Sequence, residues 1–208
     1  MNEIHIPSKE EFIKGIEEFE KHEKRDAMYK VATFLVHYFW GNPSDMADGL
    51  GVLLLTWNQA FYRYGSFDFD KLEKCIENNL EKLEKFRNRN ITTLLESDDS
   101  SIKALFEEFM ESLQIASGNM KGRKSPVAVA KALHLLAPNF FPLWDDQIAK
   151  AYRCYYDNEP AKEYIKFMKI IKEVSEKVKE YVDLSKCPKT LLKLIDEYNY
   201  SKYTKNWI

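Results

Sequence analysis

A chain of 208 residues with 45% hydrophobic and 31% charged side chains can bury a full core without staples, as an ordinary globular protein does. Its net charge of −2 excludes a protein that coats polyanions over its whole surface but leaves room for a local basic site. Cys75, Cys154 and Cys187 are odd in number and far apart, and His5, His22, His37 and His134 are scattered, so no disulfide framework, metal site or other cofactor is expected.

Residues 1–7 lack the basic-then-apolar pattern of a leader, and the longest apolar run, Leu50 to Leu55, is far too short for a membrane span. A soluble, cytoplasmic protein with no membrane partner is the expectation. Few glycines and prolines favour long helices over many short strands.

In chain order, Ser8 and Glu11 have the spacing of a capping box, and Phe12, Ile16 and Phe19 give the following helix its buried stripe. From about Asp26 to Trp40 the chain is apolar nearly all round, which predicts a central helix. Gly41-Asn42-Pro43 breaks it, and Ser44 or Asp45 can cap a helix running to about Tyr64. Asp70 to Glu73 reads as another start, with Leu72, Ile76, Leu80 and Leu83 facing inward.

Residues 88–101 are polar and interrupted, an exposed connection or a lobe boundary within one helical domain. Ile102, Leu105, Phe106, Phe109 and Leu113 form the next amphipathic stripe. Ser125 caps a helix with Pro126 at its first position, where the missing N–H costs nothing. Pro138 and Pro142 bracket an aromatic loop, and Asp145 or Asp146 opens a helix. Pro160 begins a long helix with Tyr164, Phe167, Met168, Ile171, Val178 and Val182 inward, and a short helix near Thr190 to Tyr198 precedes an aromatic, basic tail. No strand pattern or internal repeat is found. The expected fold class is all-α.

Chemically capable groups concentrate between residues 121 and 152. Lys121, Gly122, Arg123 and Lys124 precede the helix capped by Ser125, and free amides at a helix start together with cations suit a phosphodiester backbone. A solvated basic loop explains the same residues. Asp145 and Asp146 follow Phe140, Phe141 and Trp144; one carboxylate serves as cap, and a carboxylate beside such rings can also have a tuned proton affinity. Lys131 and His134 share one helix face. Trp57, Asn58 and Gln59 interrupt an apolar helix and either hydrogen-bond between helices or line a pocket. Lys202, Tyr203, Lys205 and Trp207 interleave cations and aromatics as single-strand binders do; docking of Trp207 on the domain explains them equally.

The run Gly122-Arg-Lys-Ser-Pro126 and, further on, Phe140-Phe-Pro-Leu-Trp-Asp-Asp-Gln-Ile148 resembles the core of helix-hairpin-helix DNA glycosylases. The likeness covers residues 118–152. In that family a Gly-rich hairpin leads through a Lys-bearing helix start to an aromatic, Pro-containing loop, and an Asp three residues before Ile or Val opens the next helix. Asp145 with Ile148 fits that spacing, and Lys124 stands near where bifunctional members keep an imine-forming Lys. The Leu-Pro-Gly-Val-Gly type of hairpin is missing, with only Gly118 and Gly122 nearby, and the Cys cluster of the iron–sulfur branch is absent.

The resemblance implies a base-excising DNA N-glycosylase. Its partner is duplex DNA with a flipped base, Asp145 and Lys124 are its catalytic groups, and residues 121–123 with Ser125 contact DNA. Trp57, Asn58, Gln59, His134, Phe140 and Trp144 are the pocket candidates. Two alternatives use the same fold without chemistry: a nucleic-acid binder, or an interaction domain docking a partner on the helix from about Pro160 to Val182.

Overall fold

The computed structural model describes residues 5–208; Met1–Ile4, part of the segment read above for a leader pattern, lie outside the described residues. Within them every regular element is helical and no strand occurs. The helices are α1 (Lys9–His22), α2 (Ala27–Tyr38), α3 (Pro43–Trp57), α4 (Gln59–Tyr62), α5 (Phe69–Arg87), α6 (Asp99–Ser112), α7 (Pro126–Leu136), α8 (Asp146–Ala151), α9 (Pro160–Val178) and α10 (Leu191–Asn199). A π-helical turn, Tyr200–Thr204, continues α10. No described helix is long and apolar enough to cross a membrane.

Side-chain caps set half of the α-helix starts. Ser8 Oγ accepts the Glu11 amide, Asp68 takes those of Asp70 and Lys71, and Thr190 takes that of Lys193. The Glu11 carboxylate does not complete the capping box. It faces Lys202 and accepts a hydrogen bond from the Tyr198 hydroxyl at 3.1 Å, tying α1 to the end of the chain. Gly15 permits this closeness: a Cβ there would lie 2.7 Å from the Tyr198 ring.

The central helix is α7 rather than α2. Val129, Ala130, Ala132, Leu133, His134, Leu135 and Leu136 of α7 are all buried, and α2, α3 and α6 pack around it. Apolar residues nearly all round α2 promised burial, yet Val31, Phe34 and Tyr38 lie on its outer face, with Tyr38 70% exposed. Tyr29, Ala32 and Val36 are buried, and Leu35 packs partly against the core. Hydropathy records what a helix could bury; which face finds a neighbour is settled by packing.

Within residues 88–101, Ile91–Thr93 and Glu96–Asp98 form two 3-10 turns packed into the body, and Asp99 already begins α6. Ile91 and Leu94 are buried, the Ile91 amide donates to the Asn139 carbonyl at 2.9 Å, and Lys172 of α9 donates to the Leu94 carbonyl at 2.8 Å. The apolar stripe of α9, from Tyr164 to Val178, is spent on the core. That leaves α9 no apolar face for a partner.

Candidate active site

α7 begins as the sequence predicts, with Ser125 Oγ accepting the Ala128 amide at 3.2 Å and Pro126 at the first position. On the next turns α7 directs Lys131 and His134 to different surroundings. His134 is fully buried between the Tyr29 hydroxyl (3.0 Å from Nε2) and the Phe141 carbonyl (2.8 Å from Nδ1), and burial lowers its pKa to about 3. It is a neutral structural residue, not a pocket wall.

Lys131 reaches a cavity of about 700 Å³ at the junction of α1, α3, α7, α8 and α10. Such a volume is in the range that holds a small organic ligand. One wall is the connection Glu23–Asp26 with Ala27 and Met28. Facing it are Trp57 at the end of α3, Lys131, the segment Leu143–Asp145, Ile148, and Lys193 and Asp196 of α10; Phe19 and Tyr200 add aromatic surface. Lys24 and Arg25 bring positive groups, and Trp207 stacks on His22 with ring centroids 4.2 Å apart. The aromatic tail therefore docks against the domain beside the cavity.

Asp145 caps α8: its Oδ1 accepts the Ile148 amide at 2.8 Å, which accounts for the Asp-x-x-Ile spacing. Its Oδ2 accepts from the Thr204 hydroxyl at 2.6 Å. The π-turn at residues 200–204 thus anchors a carboxylate that lines the cavity, and π-bulges are frequent at functional sites. Asp146 points away to exposed Lys150 at 2.6 Å.

The Lys131 amine donates to the Trp57 carbonyl at 2.9 Å and approaches Asn58 Oδ1 at 3.5 Å, with the Trp57 ring centroid 4.7 Å away. Burial lowers its pKa to about 8 against the opposing pull of Asp196 and Asp145. Roughly a tenth of the amine is then neutral at pH 7, a few hundred times the fraction of an ordinary lysine.

Beneath the cavity sits a buried charge cluster. Lys193 is 2% exposed, and its Nζ lies 3.1 Å from Asp26, 3.3 Å from Asp196 and 3.8 Å from Glu197, between the rings of Phe19 and Tyr29. Burial works against the ammonium, but Asp196, Asp26 and Glu197 outweigh it and the net shift is upward. Burial pushes the Glu197 carboxyl up to about 7 despite Lys193 and Lys189. Asp26 stands at φ 40°, a left-handed backbone unusual for a residue other than glycine, and caps nothing. Its carboxylate goes to Lys193 instead.

The structure brings Asp145, Trp57 and Trp144 to one cavity, with Asn58 just behind it. Other sequence-predicted residues lie elsewhere. Phe140 is fully buried against Phe86, and Gln59 is exposed on α4, outside the cavity. Lys124 pairs with Glu111 on the surface and does not line the cavity. Lys121, Gly122 and Arg123 are exposed on a loop closed by the Ile115–Arg123 and Gly122–Ile115 backbone hydrogen bonds, with Gly118 and Gly122 left-handed. This loop meets α7 at Ser125, roughly 9 Å along the helix from Lys131. Asn58 spans the interval, its Nδ2 donating to Ser125 Oγ at 3.3 Å.

Lys193, Asp196 and Asp26 were not singled out in the sequence, and Lys131 only as a helix neighbour of His134. The lone signal was the position of Lys193 on an otherwise apolar turn of α10. No group of three or more His, Cys, Asp or Glu among the described residues can hold a metal. Compared with known proteins, the chain matches no family model, no curated protein and no solved structure.

Proposed function

We propose that this protein is a DNA N-glycosylase-like enzyme that flips a base into the cavity and cleaves its glycosidic bond with help from Asp145. One observation carries the reading: the anchored Asp145 carboxylate shares an aromatic-walled cavity, roomy enough for a nucleobase, with the amine of Lys131. A flipped base would lodge among Trp57, Trp144 and Tyr200. The carboxylate then faces the sugar, where positive charge grows as the bond to the base breaks, and an acceptor fixed by two hydrogen bonds stabilises that charge without reorganising.

Lys131 supplies the amine role that the resemblance assigned to Lys124. After base release its neutral form can attack the C1′ aldehyde of the abasic sugar, and loss of water from the resulting carbinolamine gives an imine. Lys121, Arg123 and the start of α7 form a phosphate-binding edge one and a half turns away, which suits a backbone that stays outside while the base goes in. An interaction domain is the second reading, favoured by the exposed apolar stripe of α2.

The test is incubation of the wild-type protein with duplexes carrying a panel of damaged and modified bases, following free base by chromatography and DNA affinity against salt. Base release together with affinity that falls as salt rises supports the proposal. Duplexes left intact and unbound favour the interaction domain instead.

A further inference from the structure

Four carboxyl groups line the cavity, those of Glu23, Asp26, Asp145 and Asp196, and the surroundings of the last two differ. Asp145 accepts hydrogen bonds on both oxygens and acts as a fixed acceptor. Asp196 lies across from it on α10 with its side chain 13% exposed. Its Oδ2 accepts from Lys193 at 3.3 Å, while Oδ1 has no hydrogen-bond partner among the described residues. Burial raises the proton affinity of Asp196; Lys193 opposes this, and the negative charges of Asp145 and Asp26 add to it. The charged and titratable groups around it are Lys193 and Glu197 on its own helix, Asp26 from the α1–α2 connection, Tyr29 of α2, Asp145 at the start of α8 and Lys131 from α7. Two carboxyls in one cleft, one held by hydrogen bonds on both oxygens and one with an oxygen left free, are the arrangement glycosidic cleavage uses, one as charged partner and one as acid.

We infer that Asp196 is a second catalytic residue, the acid that protonates the departing base, and that the enzyme acts on neutral nucleobases. The inference rests on the glycosidic reading above. In the step, the C1′–N bond breaks and its electron pair stays with the base. A ring atom of the base takes the proton from Asp196 Oδ1, leaving a carboxylate beside Lys193. Water adds through oxygen to C1′, and its surplus proton passes to Asp145 and from there to solvent, while Asp196 regains a proton from solvent. The sum is substrate plus water giving free base and an abasic sugar. A base that is already cationic leaves without this help.

The experiment compares wild type and Asp196→Asn on duplexes holding a neutral base (uracil, hypoxanthine or 8-oxoguanine) or the cationic N7-methylguanine. The variant should lose about 100-fold or more on the neutral base and remain within a few-fold of wild type on N7-methylguanine. The wild-type rate on the neutral base should fall as pH rises, and the variant should lack that limb, with Asp196→Glu restoring it.

Equal losses on both substrates, or no loss on either, overturn the role of Asp196 while leaving the glycosidic reading intact. Release of cationic bases alone by the wild type overturns it too. Where wild type releases neutral bases alone, the pH limb decides: its persistence in Asp196→Asn overturns the role. Should the wild type release no base of either kind, the glycosidic reading falls and takes this inference with it.

Discussion

Replacing Lys193 with Met keeps the buried stem and removes the charge around which the cavity floor is built. Its Nζ sits 3.1, 3.3 and 3.8 Å from Asp26, Asp196 and Glu197, at 2% exposure. The variant leaves those carboxylates without their shared cation, and breaking a buried pair in this way costs about 3–5 kcal/mol. For a domain of this size each kcal/mol moves Tm by about 2–4 °C, so a fall of about 6–20 °C is expected. The effect should depend on pH. Lys193 has a raised pKa, so its contribution is complete below the ordinary lysine value of 10.5 and is lost only as pH climbs through its higher folded value. Between pH 5.5 and 8 the lysine therefore stays charged, and the carboxylates set the trend. Burial raises both Glu197 and Asp196, so the variant can neutralise them in acid, and its deficit should be smaller at pH 5.5 than at pH 8. Urea unfolding at the two pH values measures this. A loss under about 1 kcal/mol at pH 8, or a larger loss at pH 5.5, would refute the reasoning.

Glu197→Gln tests the same cluster through a single group. A carboxyl raised from 4.5 to about 7 contributes stability that is full below 4.5 and disappears as pH rises through 7. Wild-type stability minus that of the variant should accordingly fall across that window, and a constant difference in thermal unfolding would contradict the assignment. Gly51→Ala drives a Cβ into the Phe69 ring and should destabilise by about 1–3 kcal/mol in urea titration; a neutral result would mean α3 and α5 pack more loosely than described. Borohydride trapping on DNA holding an abasic site should crosslink wild type and Lys124→Ala but not Lys131→Ala, with trapping rising as pH approaches 8. A crosslink that survives Lys131→Ala and vanishes in Lys124→Ala would return the amine role to the surface lysine.

Local rules in the sequence foretold much of the fold. Ser125-Pro126, Thr190 and the Asp145–Ile148 spacing announce helix starts by caps that need only neighbouring residues. The start of α5 was read two residues late, because Asp70 is as good a cap as Asp68 until the backbone shows which amides are orphaned. What escaped depends on contacts between distant segments. Lys193 meets Asp26 from the far end of the chain, and no local pattern marks that pair. Lys124 looked better placed than Lys131 because it precedes a helix start. Yet a side chain on the middle of α7 reaches the cavity, and one on the loop reaches Glu111. The apolar residues round α2 misled for a related reason, since nothing in them says which face a neighbour covers.

The central claim is that Asp145 performs chemistry and is more than a helix cap. Single-turnover base release by wild type and Asp145→Asn, each at saturating DNA, tests it most directly. Asn keeps a side-chain oxygen for the Ile148 amide, so the fold and DNA affinity should persist within a few-fold. Release of free base should fall by at least 100-fold, the scale of losing one preorganised electrostatic group. A variant that releases base at the wild-type rate while binding DNA equally well would contradict the account.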